Sequence, residues 1–515
     1  MVGNHVLTQR SPIVSRYPLG YGALLLQTAR NEVPGVKRVD ERLPTGVPAL
    51  DEILDGGLPG PHTYLIQGAP GTGKTTMGLQ FLIEGRDRGE RALFVTLSQT
   101  RGELEMIAEA HGWSLDGIEV AELQTTIDEE QQTVFYPVDI DLTATRDAIA
   151  AAIDKHKPQR LVYDSLAEIR HITGEDFAFQ RELLSFKNFL NERSVAAYMI
   201  DLTPDDGGDS EIEGLAHGIF RLDKVLPAYG RARRRIEIGK MRGVNVFDGY
   251  HDVAIEEGRG LVVYPRIVPE LTPDSSESDL IRSGVAELDE MLGGGMESGT
   301  VTMVIGQPGT GKSTLASLYA HAALQRGENV ALFLFEERPE TFFRRSDGMG
   351  LKMRSFRDDG SLELFAFNPS EMSQGRFSRM AQQSVAENET RVVVIDSLTG
   401  YLGGLPDSSE AVVQMQLLLK YLSRKGVLTI LIVAQEGLLG HDMETRLDVS
   451  FLGDTVVLLR MYERPGRIGR TISVVKKRHG AHDLDIRQLE LSGNGVSIRQ
   501  FVPTPPGSDT PSVPE

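Results

Sequence analysis

Cysteine is absent from this 515-residue chain, which excludes disulfides, zinc–thiolate sites and thiol catalysis. No apolar run approaches the roughly 18 residues that a membrane-spanning helix needs, so no membrane partner is expected. The run Tyr21-Gly-Ala-Leu-Leu-Leu-Gln-Thr-Ala after Arg10 and Arg16 is short, late and interrupted by Gln27, which argues against a cleaved leader. Positive charge is in deficit: 54 Lys and Arg against 73 Asp and Glu give a formal net charge of −19. That balance opposes non-specific binding to nucleic acid, because neutralising phosphates takes clustered cations. Aromatics are scarce at 6%, but 40% of residues are hydrophobic, so sizeable cores can form. The length suits two or three domains. A reducing, cytoplasmic setting is the expectation.

Chemistry first appears at Gly306-Gln-Pro-Gly-Thr-Gly-Lys312-Ser313-Thr314. An apolar run, Val301–Ile305, precedes it and a helix-forming stretch follows, the context in which G-x-x-x-x-G-K-[ST] cradles phosphates. Gly309, Thr310 and Gly311 let backbone N–H groups close around a triphosphate, and the positive end of the next helix faces it. Lys312 is expected on the β- and γ-phosphates, with Thr314 beside it and the Ser313 hydroxyl on Mg²⁺. The stretch occurs a second time as Gly68-Ala-Pro-Gly71-Thr72-Gly73-Lys74-Thr75-Thr76. ATP and Mg²⁺ are therefore the expected cofactors, with Thr75 on the metal in the first copy.

The repetition extends beyond the loop. Thr45-Gly-Val-Pro-Ala-Leu-Asp-Glu-Ile-Leu matches Ser283-Gly-Val-Ala-Glu-Leu-Asp-Glu-Met-Leu, and both this pair and the pair Lys74/Lys312 are 238 residues apart. So long a period means a duplicated domain rather than a solenoid. The reading divides the chain into a tail (1–37), a first domain (38–265), a proline-rich linker (266–280), a second domain (281–500) and a disordered tail (501–515). Within each copy, continuous apolar runs alternate with helical stretches, which implies an α/β fold with a mostly parallel, doubly covered sheet. One run per copy ends in an acid, Asp164 or Asp396. Beside a phosphate loop, such a carboxylate is expected to hold the Mg²⁺ shell.

The copies differ after the second run. The later one carries Glu336-Glu337, able to orient or deprotonate a water and, for Glu336, to approach the metal. The earlier one carries Ser98-Gln99, so slow or absent hydrolysis is expected there. Near the end of each copy stands a basic K-x-R, Lys240-Met241-Arg242 or Lys476-Lys477-Arg478. On a strand its Lys and Arg share a face, which suits a triphosphate offered by a neighbouring subunit. His441, His479 and His482 lack metal-ligand spacing, and Arg231-Ala-Arg-Arg-Arg235 is expected to be a solvated edge. Trp113 is expected to pack at a helix end.

This combination resembles the KaiC family of clock ATPases and their relatives outside cyanobacteria, over roughly residues 38–500. The resemblance implies two tandem RecA-like P-loop NTPase domains that assemble as a homohexamer of two stacked rings. It further implies ATPase activity with serine/threonine autokinase activity in the second ring, and a timing or signalling role with KaiA- or KaiB-like regulators as candidate partners. The family's second-domain nucleotide contacts map onto Arg470, Lys476, Lys477, Arg478 and His482. Where the clock protein has a Ser-Thr pair, this chain has Ser450-Phe451. That argues against two-site phosphorylation and leaves Ser450 as the phosphosite candidate. The alternative on the same fold is a RecA/DnaB-like nucleic-acid-dependent ATPase, and a third reading is a nucleotide-gated scaffold with little turnover.

Overall fold

Each apolar run becomes a strand buried on both faces. The computed structural model describes residues 42–123, 142–173, 176–202, 210–227, 230–267, 279–405, 408–435, 449–464, 467–493 and 495–501. The N-terminal tail, most of the linker, His441 and the proline-rich end lie outside them. The first copy supplies β1 (Thr63–Gly68), β2 (Ala92–Thr96), β3 (Ile118–Glu122), β4 (Arg160–Asp164), β5 (Ala196–Asp201), β6 (Gly218–Val225), β7 (Arg233–Met241), β8 (Tyr250–Glu256) and β9 (Gly260–Tyr264). The second supplies β10 (Val301–Gly306), β11 (Asn329–Leu334), β12 (Leu362–Ala366), β13 (Thr390–Asp396), β14 (Leu428–Ala434), β15 (Thr455–Arg464), β16 (Arg467–Lys477), β17 (Arg487–Ser492) and β18 (Gly495–Gln500).

The two nine-stranded sheets have the same order. It is β3-β2-β4-β5-β1-β6-β7-β8-β9 in the first and β12-β11-β13-β14-β10-β15-β16-β17-β18 in the second. Six strands run parallel and the last three add as an antiparallel meander. Side chains alternate between faces: Tyr64 and Ile66 join one core while Leu65 joins the other. In the second copy Val304 and Met303 divide likewise. These are tandem RecA-like α/β units, with a phosphate loop leaving the carboxyl end of each central strand, where ligands of parallel sheets bind.

Eight helices matter below: α1 (Lys74–Asp87), α2 (Arg101–Glu109), α3 (Leu166–Thr173), α4 (Ser210–Leu215), α5 (Lys312–Gln325), α6 (Pro339–Asp347), α7 (Gln374–Asn388) and α8 (Leu398–Gly403). Among the described residues no helix is long and apolar enough to cross a membrane.

The arginine run departs from expectation. Rather than a solvated edge, it binds the copies together: Arg231 pairs with Glu371 at 3.4 Å and Arg233 donates to the Gly404 carbonyl at 3.3 Å. Next to it, the buried Asp252 carboxylate accepts the Gly375 amide at 2.6 Å, at the start of α7. Burial raises the Asp252 pKa, and the Gly375 hydrogen bond opposes that shift. Ile267, at the start of the linker, is buried in the second copy's core. Trp113 packs just beyond the end of α2, beside His111.

Candidate nucleotide sites

Left-handed glycines build both phosphate loops. Gly71 and Gly73 have φ of +75° and +109°, and Gly309 and Gly311 of +81° and +105°, a region that a side chain disfavours. Gly73 and Gly311 lead directly into α1 and α5, so the helix N-termini face the loop. Thr72 and Thr310 tie each loop to itself, donating to the Ala69 and Gln307 carbonyls at 2.9 and 2.8 Å. Thr76 and Thr314 are buried in the first helical turns. Lys74 Nζ donates to the carbonyls of Gly68 and Ala69 at 2.6 and 3.1 Å, and Lys312 Nζ to that of Gln307 at 2.9 Å. Burial lowers the pKa of both lysines, and Asp164 or Asp396 partly restores it.

The strand-end aspartates meet the loop hydroxyls. Thr75 Oγ1 donates to Asp164 Oδ2 at 2.9 Å, and Ser313 hydrogen-bonds Asp396. Burial raises the pKa of both aspartates, and these hydroxyl bonds counter it. Among the described residues no group of three or more His, Cys, Asp or Glu side chains converges as a self-sufficient metal cage. One carboxylate with one hydroxyl is the donor set that binds Mg²⁺ when phosphate oxygens complete the shell.

The second pocket, about 700 Å³, is lined by Gly309, Lys312, Glu336, Glu337, Arg345 and Asp396 among others. Its two glutamates are held differently. Glu337 is clasped by Arg345 of α6 through both carboxylate oxygens, at 2.7 and 3.2 Å. Glu336, exposed, accepts from Ser397 Oγ at 2.5 Å. Arg345 was not anticipated; a cation two turns into the helix that follows the acidic pair was the available signal. In the first pocket its positional counterpart is Ile107, and a neutral Gln99 stands where Glu337 does. Gln99 Oε1 is buried and finds no hydrogen-bond partner among the described residues.

A further arginine reaches the phosphate loop in each copy, and in the first it is Arg234 of the run expected to be a solvated edge. Arg470 Nε donates to the Gly309 carbonyl at 3.0 Å, and Arg234 Nε to the Gly71 carbonyl at 3.1 Å. Both lie two residues before the isoleucine that faces the central strand's neighbour, Ile472 opposite Leu459 and Ile236 opposite Leu222. Arg470 is thus brought to its own phosphate loop.

The K-x-R residues lie elsewhere. Lys476 Nζ donates to the Gly453 and Ser450 carbonyls at 2.6 and 3.2 Å, and Arg478 pairs with Asp454 at 3.0 Å. Lys477 points the other way, with its Nζ buried against the Leu292 carbonyl and Glu297. His482 stands beside Asp483, whose amide donates to the Met291 carbonyl. In the first copy Lys240 and Arg242 reach the Glu213 and Gly214 carbonyls of α4 at 2.7 and 3.0 Å, while Met241 packs on Gly218. Ser450 is exposed on a 3₁₀ turn that leads into β15.

A model of the KaiC ATPase family matches residues 43–267 and again 281–501. The chain belongs to the KaiC ATPase family. Circadian clock protein KaiC3 of Synechocystis sp. is 30% identical over 467 residues, covering 89% of this chain and 92% of the relative. The circadian clock oscillator protein KaiC of Parathermosynechococcus lividus is 28% identical over 439 residues, covering 83% and 80%. That of Thermosynechococcus vestitus is 28% identical over 440 residues, 83% of each. Membership makes ATP the nucleotide of the KaiC-type loops. Both tandem units fall within the matched segments.

Proposed function

We propose that this KaiC-family ATPase works as a homohexamer of two stacked rings, with Mg-ATP between neighbouring protomers in each. The observation that carries the reading is a separation. The Val301 amide, at the start of β10, donates to Asp454 Oδ2 at 3.0 Å, and Asp454 pairs with Arg478. The phosphate loop leaves the other end of that six-residue strand, about 17 Å away at 3.3 Å per residue. Lys476 and Arg478 therefore cannot serve their own loop and are available only to another protomer's phosphate. Lys240 and Arg242 stand likewise: the Arg242 amide bonds His217, whose amide bonds Thr63 at the start of β1.

In this reading the domains are 38–265 and 281–500. Mg²⁺ is held by Thr75 and Asp164 in one and by Ser313 and Asp396 in the other, where it would neutralise charge developing on the transferred phosphoryl group. The second pocket carries the main turnover. Glu336, which no arginine holds among the described residues, accepts the proton of the attacking water, and Glu337, fixed by Arg345, orients that water. The first pocket holds ATP chiefly to assemble its ring. Ser450 shares the Lys476 edge, so it would face a neighbour's γ-phosphate and is the candidate for autophosphorylation. The names of the relatives favour a timing or signalling switch over a nucleic-acid-driven motor, with KaiA- or KaiB-like regulators as partners. Native mass measurement tests the assembly: a hexamer with Mg-ATP is expected, and a chain that stays monomeric when saturated refutes it.

A further inference from the structure

After its second strand the first pocket has Ser98-Gln99 in place of an acidic pair, yet the serine after its aspartate does not lack a carboxylate. Ser165 Oγ donates to Glu168 Oε2 at 2.6 Å, and the Ser165 amide donates to the same oxygen at 3.2 Å. In the second pocket the corresponding Ser397 donates to Glu336 Oε1 at 2.5 Å. Equivalent hydroxyls are thus met from opposite elements, by Glu336 from the end of β11 and by Glu168 from the first turn of α3. The neighbours are exchanged in step. Three residues after Ser397 stands Gly400, where a Cβ would lie 2.9 Å from both Cγ and Oε1 of Glu336. Three residues after Ser165 stands Glu168 itself, and the strand-end position of Glu336 is taken by the small Ser98. Each of these serines thus holds one carboxylate. Glu168 also lies within electrostatic reach of Asp164, as Glu336 and Glu337 do of Asp396.

We infer that Glu168 is the catalytic carboxylate of the first pocket and that this pocket hydrolyses ATP as well as binding it. The inference rests on the ATPase reading above and deepens it. A water oxygen forms a bond to the γ-phosphorus, and its proton passes to the Glu168 carboxylate. The bond from that phosphorus to the β–γ bridging oxygen breaks, its electron pair leaving with ADP, so the products are ADP and inorganic phosphate. Gln99 remains as a neutral partner for the water, in the place where Glu337 stands in the other pocket.

Glu168 also caps the start of α3 by accepting the Ser165 amide, a role that glutamine fills as well as glutamate. Glu168→Gln therefore keeps the cap and removes the base. In full-length protein carrying Glu336→Gln and Glu337→Gln, ADP formation from Mg-ATP is expected to persist at a reduced rate. Adding Glu168→Gln should lower that residual rate at least tenfold. The chain should still bind two nucleotides, and the first pocket's should be recovered after incubation as ATP rather than ADP. A residual rate untouched by Glu168→Gln, or no residual rate before it, overturns the inference while leaving the second pocket's chemistry standing. An unaltered chain that binds ATP and never hydrolyses it takes down the ATPase reading as well.

Discussion

Glycine at 400 is what lets a carboxylate at 336 reach Ser397. In Gly400→Ala the new methyl would collide with the Glu336 side chain, which is exposed and free to swing away, and would press on the buried Phe335 Cβ at 3.2 Å. Within α8, alanine lowers the entropy of the unfolded chain, which offsets the Phe335 contact, so stability should change by no more than about 1 kcal/mol. Losing a positioned base costs far more in rate, so second-pocket turnover should fall about tenfold or more. Thermal denaturation and steady-state hydrolysis separate the two effects; a rate that does not change would remove Glu336 from the chemistry.

Protonation supplies a second case. His217 stacks on His62 with ring centroids 3.9 Å apart, and its Nε2 lies 3.1 Å from the Arg242 carbonyl. Burial, and then His62, lower its pKa from 6.5 to about 4. The unfolded chain thus binds a proton in a range where the folded one does not. The stability this residue contributes is complete above pH 6.5 and is lost as the pH falls toward about 4. His217→Gln keeps a donor for the Arg242 carbonyl and cannot titrate. Its melting temperature should decline less steeply than that of the unaltered chain between pH 7 and pH 4.5; equal slopes would exclude His217 as the cause.

Among the elements, β4 is held at its entry by a charge rather than by apolar packing alone. Arg160 is fully buried, paired with Glu90, and donates to the Pro44 and Phe81 carbonyls at 2.7 and 3.0 Å. It crosses α1 at Gly85, where a Cβ would come within 2.4 Å of its Cδ. Arg160→Ala strands Glu90 and two carbonyls, and should lower the first domain's stability by about 3–5 kcal/mol. Calorimetry should show the first domain's transition shifted down and the second's in place. A single unshifted transition would contradict the assignment.

The strands, loops and Asp164 and Asp396 could be read from local pattern because each is a short apolar run or a glycine string, and the duplication supplied a check. The contacts that local pattern does not give depend on partners remote in sequence. Arg470 and Arg234 lie 161 and 163 residues from the carbonyls they hold. Arg345 is nearer to Glu337, but its role depends on how α6 leaves the sheet. Glu168 presents locally as a helix cap, and only the equivalence of Ser165 and Ser397, each after its strand-end aspartate, gives it another meaning. The arginine run was misjudged for a related reason: its partners Glu371 and Gly404 belong to the other copy.

For the assembly, the decisive consequence is that each second-domain pocket would draw on two chains, Lys312 from one and Arg478 from the next. Lys312→Ala should abolish nucleotide binding in that pocket. Arg478→Ala should leave ATP bound but slow its turnover by roughly a thousandfold, as expected when a cation supplied in trans is removed. Rings formed from equal amounts of the two variants are different. Wherever an Arg478→Ala subunit offers its intact loop to a Lys312→Ala neighbour that retains Arg478, the pocket is whole. Random mixing makes about a quarter of the pockets of this kind in a closed ring with head-to-tail contacts. Turnover in the mixture should therefore rise well above that of either variant alone, provided the subunits are mixed before ATP closes the rings. If both residues served a pocket within one chain, no mixture could restore a complete one, and the mixed sample would be as inactive as its parts.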